Sequence, residues 1–350
     1  MRKPTIKDIA SHAGVSFKTV SRVINQKATV GKDIRAKVEA SVNALGYRPN
    51  LGARSLRTGR SFTLALLMTS RGHVDKVNLS QRMPSYIMDV VAGLLQACMS
   101  SDYHLVVDTL ASMEREQGEI RLARFLDLVK PDGVILIPPF CDVPWVLDLI
   151  GSRSIGLGRL NPGKDIETGV SMWIDNRAAG RDVGEAILAQ GHRRIGYISG
   201  PETHYAHLGR LDGLREAVKA VRDAELVTVP GNFTYDSGVE NGRKLLSLPV
   251  PPTAIFAAND EMAAGVLASA IALGISVPRE LSLVGFGNLV ISQHTIPSIA
   301  TVSQPTTQMA CAIGQYLVAE SANDKQVNIK PGQVPYEFIR RASLGPAPSY

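Results

Sequence analysis

From about Phe62 onward, short β-branched runs alternate with longer amphipathic stretches, so the apolar period switches between two residues and about 3.6. The pattern predicts strands over 63–68, 104–108, 133–137, 154–157, 195–199, 253–257 and 282–286, with a last one over 336–341. Between them fall helix-length segments at 86–99, 116–129, 178–190, 210–221, 236–246 and 261–273. Gly191 and Gly274 stand just past two of these, where a left-handed residue closes a helix. Such alternation implies parallel sheets with helices on both faces. The βα units outnumber what one sheet usually holds. Two doubly wound subdomains are therefore expected, with a break near 161–163 and a ligand crevice between the strand C-termini.

The first 46 residues follow a different rule and read as three short helices. Thr5, three residues ahead of Asp8, forms a capping box for the first; Ala13-Gly14-Val15 supplies a tight turn, and Ser16 caps the second. At about 100° per residue, Phe17, Lys18, Ser21, Arg22 and Asn25 share one arc of the second helix, while Thr19, Val20, Val23 and Ile24 share the other. A third helix, over about 32–45, aligns Ile34, Val38, Val42 and Leu45 in one stripe and ends at Gly46. This is helix-turn-helix geometry, in which the second helix enters the major groove of DNA. Lys18 and Arg22 can donate to guanine O6 and N7, and Phe17 can meet a thymine methyl.

Charge separates the two regions. Residues 1–60 carry 13 Lys and Arg against 3 Asp and Glu, whereas the remainder carries 25 against 29, so the net +6 is one local block. A basic head on a mildly acidic body suits a head that meets a polyanion. With 350 residues, 45% apolar and 20% charged, the composition excludes a disordered, collagenous or disulfide-stapled chain. Cys98, Cys141 and Cys311 offer neither a CxxC pair nor a disulfide framework, so a reducing cytoplasm is the expected compartment. No apolar region follows the N-terminal charges, and no run nears the roughly 20 residues of a membrane span; neither export nor membrane insertion is expected. The glycines around Phe286 lack a third partner for a dinucleotide fingerprint, no phosphate-binding GxxxxGK[ST] occurs, and the histidines show no metal-ligand spacing. No enzyme activity, cofactor or metal is expected.

The runs Thr5-Ile-Lys-Asp-Ile-Ala, Ala13-Gly-Val-Ser, Thr19-Val-Ser-Arg-Val-Ile-Asn25, Leu45-Gly-Tyr-Arg-Pro-Asn50 and Ala53-Arg-Ser-Leu56 resemble the head of the lactose/galactose repressor (LacI/GalR-type) family of bacterial transcriptional regulators. The resemblance implies a DNA-binding domain over 1–46, a hinge linker over 47–60, and an effector-binding and dimerisation domain over 61–350. It implies that 50–58 folds into a hinge helix on DNA, with Leu56 as an apolar wedge in the minor groove flanked by Arg54 and Arg57. Thr5, Ser16, Tyr47 and Asn50 join the implied DNA contacts. Gly52 lowers isolated helicity by about 1 kcal/mol relative to Ala, so this hinge is expected to order only on DNA.

In this family the body is similar to periplasmic sugar-binding proteins. Gly191-His-Arg-Arg-Ile195, Arg210-Leu-Asp-Gly213, Ala258-Asn-Asp-Glu-Met262, Val284-Gly-Phe286 and Val302-Ser-Gln-Pro305 fall in family order. The resemblance implies that Phe233 packs on an effector ring, with core packing as its alternative. It assigns Asn259 to ligand hydroxyls while Asp260 caps the next helix, and Arg210 either to the ligand or to a neighbouring acid. Ser70, Ser85 and Tyr86 are candidate hydroxyl donors, and Asp142 is placed near the crevice. His204 and His207 stand either in the pocket or on an exposed loop. Two departures matter: Asn288 stands where the family commonly has Asp, and Leu208 where lactose-type members have an arginine. The implied function is a repressor that binds a near-palindromic operator as a homodimer, on the nucleoid when bound, and is released by a sugar or glycoside. A corepressor mode with a purine remains the alternative.

Overall fold

The computed structural model of the chain describes residues 4–24, 30–47, 55, 58–69, 85–110, 115–324 and 329–349. Its backbone divides into two compact units, Met1–Ser61 and Phe62–Tyr350.

In the first unit, α1 (Ile6–Ala13), α2 (Phe17–Ile24) and α3 (Lys32–Leu45) close over Ile9, Val20, Val23 and Val38. The Thr5 N–H and hydroxyl both donate to the Asp8 carboxylate at 2.7 Å, fixing the start of α1. Gly14, at φ +66°, turns the chain, and the Ser16 hydroxyl accepts the Thr19 N–H at 3.1 Å to open α2. His12 Nδ1 meets the Ser41 hydroxyl at 2.9 Å and ties α1 to α3. Ile34 departs from the expected stripe and is 41% exposed. Two eight-residue helices cover only the later turns of the 14-residue α3.

The second unit holds two parallel sheets. In the first, β1 (Thr63–Thr69), β2 (His104–Leu110), β3 (Gly133–Leu136), β4 (Gly156–Leu160), β5 (Val170–Trp173) and β11 (Gly332–Gln333) run in the order β11-β5-β4-β3-β1-β2. In the second, β6 (Arg194–Ile198), β7 (Glu225–Val229), β8 (Ala254–Ala257) and β9 (Ser282–Val284) run in the order β7-β6-β8-β9. Both β3 and β8 are buried along their whole length, as strands with helices on either side must be. The first sheet is covered by α4 (Ser85–Met99), α5 (Arg115–Val129) and α6 (Pro144–Gly151). The second carries α7 (Asn176–Ala189), α8 (Tyr205–Lys219), α9 (Tyr235–Leu246) and α10 (Asp260–Ala272). After a short α11 (Val290–His294), β10 (Thr301–Ser303) pairs antiparallel with β12 (Glu337–Ile339).

The break expected near 161–163 lies later. There the chain only turns, at Asn161 (φ +49°), and returns as β5, which pairs with β4 through Gly158 and Val170. It leaves the first sheet after Trp173, and the Asp175 carboxylate accepts the Ala178 N–H at 2.9 Å to start α7. After β10 it crosses back into α12 (Thr306–Ser321), which packs on α4 so closely that a Cβ on Gly93 would lie 2.2 Å from the Thr307 carbonyl. A third crossing leads from β11 to β12. Several short crossings hinge the two sheets instead of one linker.

In the second subdomain, α7 and α8 meet backbone to backbone. A Cβ on Gly213 would lie 1.9 Å from the Arg177 carbonyl oxygen, and one on Gly180 would lie 2.0 Å from that of Arg210. Gly213→Ala gains up to about 1 kcal/mol of helix propensity. Overpacking of about 1–3 kcal/mol opposes it, at the upper end here because the neighbour is backbone. Urea denaturation of this variant is expected to show a net loss of at least about 1 kcal/mol.

Candidate DNA-reading head and effector cavity

The exposed face of α2 carries Phe17 (52% exposed) with Lys18 and Arg22 open to solvent and Ser21 half-buried beside them. Val20 and Val23 point the opposite way into the core. Packing therefore fixes which side of α2 can approach a partner. Ser16 is engaged as the α2 cap and Thr5 as the α1 cap; Tyr47 is half-buried against the head core. Asn25, Asn50, Arg54, Leu56, Arg57 and Ser70 lie outside the described residues.

In the body, a cavity of about 620 Å³ opens where the strand C-termini of the two sheets face each other. Its lining follows strand ends: Ile137 to Pro139 after β3, Asn161 after β4, Asn232 to Thr234 after β7, Asn259 after β8 and Phe286 after β9. This is where a doubly wound sheet leaves room for a ligand. Arg210 from α8 reaches it with its Nε and Nη1 already engaged. Its Nε donates to Asn176 Oδ1 at 2.9 Å, its Nη1 to the Ala258 carbonyl at 2.6 Å, and its plane lies 3.4 Å from the Phe286 ring centre. Burial pulls its pKa down to about 10, which still leaves it protonated at neutral pH. Among the described residues no acid pairs with it, so the salt-bridge alternative gives way to neutral acceptors.

Phe233 lines the cavity in a left-handed backbone (φ +65°) that a bulky residue adopts only under constraint. The constraint is visible. Asn259 Nδ2 donates to the Phe233 carbonyl at 3.0 Å, and the ring fills the space a Cβ on Gly200 would take, 2.1 Å from Phe233 Cζ. The His204 ring lies edge-on at 5.2 Å. His204 is in the lining, but His207 is buried beneath it, with Nε2 donating to the Pro201 carbonyl at 2.8 Å and its pKa lowered chiefly by burial. Tyr86 presents a buried hydroxyl beside Asn161, with no hydrogen bond of ordinary geometry among the described residues. Burial pushes its pKa upward, so it stays a neutral donor.

Three expectations are corrected. Asn259, not Asp260, caps α10: its Oδ1 accepts the Met262 N–H at 3.0 Å, while its Nδ2 donates to the Phe233 carbonyl at the cavity wall. Asp260 turns inward and accepts from the Thr301 hydroxyl and the Leu289 N–H, both at 2.6 Å. Asp142 does not line the cavity. It is buried against Arg159 at 3.1 Å and receives the Gly163 and Lys164 N–H groups. Asn288 is likewise withdrawn, accepting from Arg341 and donating to Ser303 at 3.3 Å. Gln304, Asn161, Asn232, Thr203 and Glu261 line the cavity without having been expected there. For Gln304, Asn161 and Asn232 the signal in the sequence was position just past a strand end. Among the described residues no cluster of His, Cys, Asp and Glu is arranged for a metal, and no helix is long and apolar enough to cross a membrane.

A family model described as bacterial regulatory proteins, lacI family, matches residues 5–50, and one for a periplasmic binding protein-like domain matches 185–344. The chain is 36% identical over 324 residues to the HTH-type transcriptional regulator CelR of Thermobifida fusca, covering 91% of this chain and 92% of that one. The chain belongs to the LacI family of bacterial regulatory proteins. As a LacI-family member with this head and body it is a DNA-binding transcriptional regulator. It is also 29% identical over 351 residues to the PurR repressor of Proteus mirabilis, covering 98% of each. Among solved structures it is similar to a CelR–cellobiose complex (TM-score 0.68, 29% identity, 97% of this chain and 99% of that one). It shares its fold with a lac repressor dimer bound to operator and an anti-inducer (TM-score 0.79, 23% identity, 98% and 100%).

Two outcomes follow from the buried carboxylates. Asp142→Ala strands the fully buried Arg159 guanidinium, which also donates to the Cys141 and Lys164 carbonyls at 2.7 Å. Losing one member of a buried pair costs about 3–5 kcal/mol, to be read as an earlier urea midpoint. Burial raises the Asp260 pKa to about 6, above its ordinary value of 3.8. The folded state therefore holds this proton more tightly than the unfolded one, so the group's contribution to stability falls as pH rises from about 4 to about 6. Asp260→Asn removes that slope in denaturation measured across this pH range.

Proposed function

We propose that this LacI-family regulator represses transcription by gripping a near-palindromic operator as a homodimer, and that an uncharged sugar, a glycoside or short oligosaccharide, releases it. The observation that carries the effector assignment is the chemistry of the cavity. Its one arginine among the described residues already gives its Nε and Nη1 to neutral acceptors, Asn161, Asn232, Thr203, Gln304 and Tyr86 supply uncharged donors and acceptors, Glu261 adds one carboxylate, and Phe233 offers an apolar face. Hydroxyl-rich neutral rings pair with such groups, whereas a carboxylate or phosphate ligand would meet the Glu261 carboxylate with only the part-engaged Arg210 to offset it. The cavity volume exceeds one hexose ring and suits a disaccharide. A relative's complex with cellobiose supports the same class.

Lys18 and Arg22 read base edges from α2 in this account, while the linker over 47–60 orders on DNA. Ligand closure of the two subdomains alters the spacing of the paired linkers and lowers operator affinity. The protein acts in the cytoplasm, on the nucleoid when bound, and binds its effector without transforming it.

Two measurements test this. Selection of operators from random duplex by wild type and Lys18→Ala should give different base preferences, with about 1–3 kcal/mol lost at the affected position. Uniform weakening on every sequence would make Lys18 a phosphate contact instead. Thermal denaturation with cellobiose, other disaccharides, glycosides and purines should show the sugars raising the melting temperature, since a ligand that binds only the native state stabilises it. A response to purines alone overturns the effector class.

A further inference from the structure

The cavity has two walls, one from each sheet, and only a few described contacts cross between them. On one flank Gly163 packs against Tyr205, and the Lys164 ammonium lies 4.3 Å from that ring centre. At the hinge Asn161 Nδ2 donates to Gln304 Oε1 at 3.3 Å. On the α4 flank the crossing is made by Glu261. Its Oε1 accepts the Ser85 N–H at 3.2 Å and the Ser85 hydroxyl at 3.3 Å. Ser85 opens α4 on the first sheet, and Glu261 is the second residue of α10 on the second. Glu261 is also the one carboxylate in the cavity lining among the described residues.

The first N–H groups of a helix have no acceptor within it, and a carboxylate there also meets the positive end of the helix dipole. A bond of this kind is stronger than one between neutral groups. It forms only while the two walls are together, because its donor and acceptor ride on different subdomains.

We propose that Glu261 is a clasp: a positioning residue that biases the cleft toward its closed form and so sets the effector response. The clasp itself is independent of ligand identity; only the affinity arm of its test rests on the sugar assignment above. A ligand that binds the closed form has an apparent affinity reduced by the fraction of molecules that are open. Loosening the clasp therefore weakens the ligand even when no ligand-facing group is changed.

Ser85→Pro provides that change. It removes both donors, leaves Glu261 and the lining intact, and places proline at the first helical position, where it is well tolerated. The three native cysteines are buried, so spin labels can be directed to cysteines introduced at the exposed Asp148 and Asp236, one on each subdomain. Pulsed electron-spin distance measurements on the full chain without ligand, diluted with unlabelled protein, report the cleft. Ser85→Pro and Glu261→Ala should both shift the distribution away from wild type and broaden it, while Glu261→Gln, which keeps an acceptor oxygen, should stay near wild type. Wild-type distributions in both Ser85→Pro and Glu261→Ala overturn the clasp. In calorimetry with cellobiose as probe, Ser85→Pro should bind on the order of tenfold more weakly than wild type. If wild type binds no sugar while the distances still shift, the sugar assignment fails and the clasp stands.

Discussion

Helices cover the sheets of the body on both faces, which leaves the carboxyl ends of the strands as the place where polar groups can gather without being buried unpaired. The two sheets point these ends at each other, and every later property of the body depends on that arrangement. Asn161, Asn232, Asn259 and Gln304 all stand within a few residues of a strand end, and α8 delivers Arg210 to the same space because Gly180 and Gly213 let it lie directly on α7. The site is a consequence of topology before it is a matter of individual side chains.

Around that space the buried charges are met by local partners. Arg210 is held by an amide oxygen, a carbonyl and an aromatic face, Asp142 is taken up by Arg159, and Asp260 by a hydroxyl and an N–H. The result is a cavity that offers mainly hydrogen bonds, with Glu261 its one carboxylate among the described residues. Phe233 belongs to the same design, since its left-handed backbone is stabilised by the Asn259 amide that also starts α10. One asparagine thus links the aromatic platform to the helix that carries Glu261.

The head was legible in its sequence because its signals are local: a cap at Thr5, a turn glycine at Gly14, a second cap at Ser16 and a face of valines. The alternating strands and helices of the body were equally open to inspection. What escaped was set by distant partners. The strand expected over 154–157 runs instead over Gly156–Leu160, and it carries Arg159 into the interior, where Asp142 lies beside it. Edge strand β7 is half-exposed and β5 spans four residues, so neither has a strong apolar run. Helix α12 lacks a side-chain cap at its start, and the exchange of roles between Asn259 and Asp260 joins two residues that are both good caps in isolation. Four of the unexpected cavity residues, Asn161, Asn232, Thr203 and Gln304, are neutral, which leaves no charge pattern to notice, and Glu261 reads simply as an acid in the first turn of α10.

In the proposed switch, the basic head that binds DNA and the cavity proposed to take a sugar are energetically coupled. The most direct measurement is fluorescence anisotropy of the full chain on its selected operator, at one fixed salt concentration, with and without saturating cellobiose. Coupling of the ordinary size for such switches, about 1–3 kcal/mol, predicts a fall in operator affinity of roughly 5- to 150-fold. An unchanged affinity, at sugar concentrations where calorimetry shows the cavity filled, would contradict it.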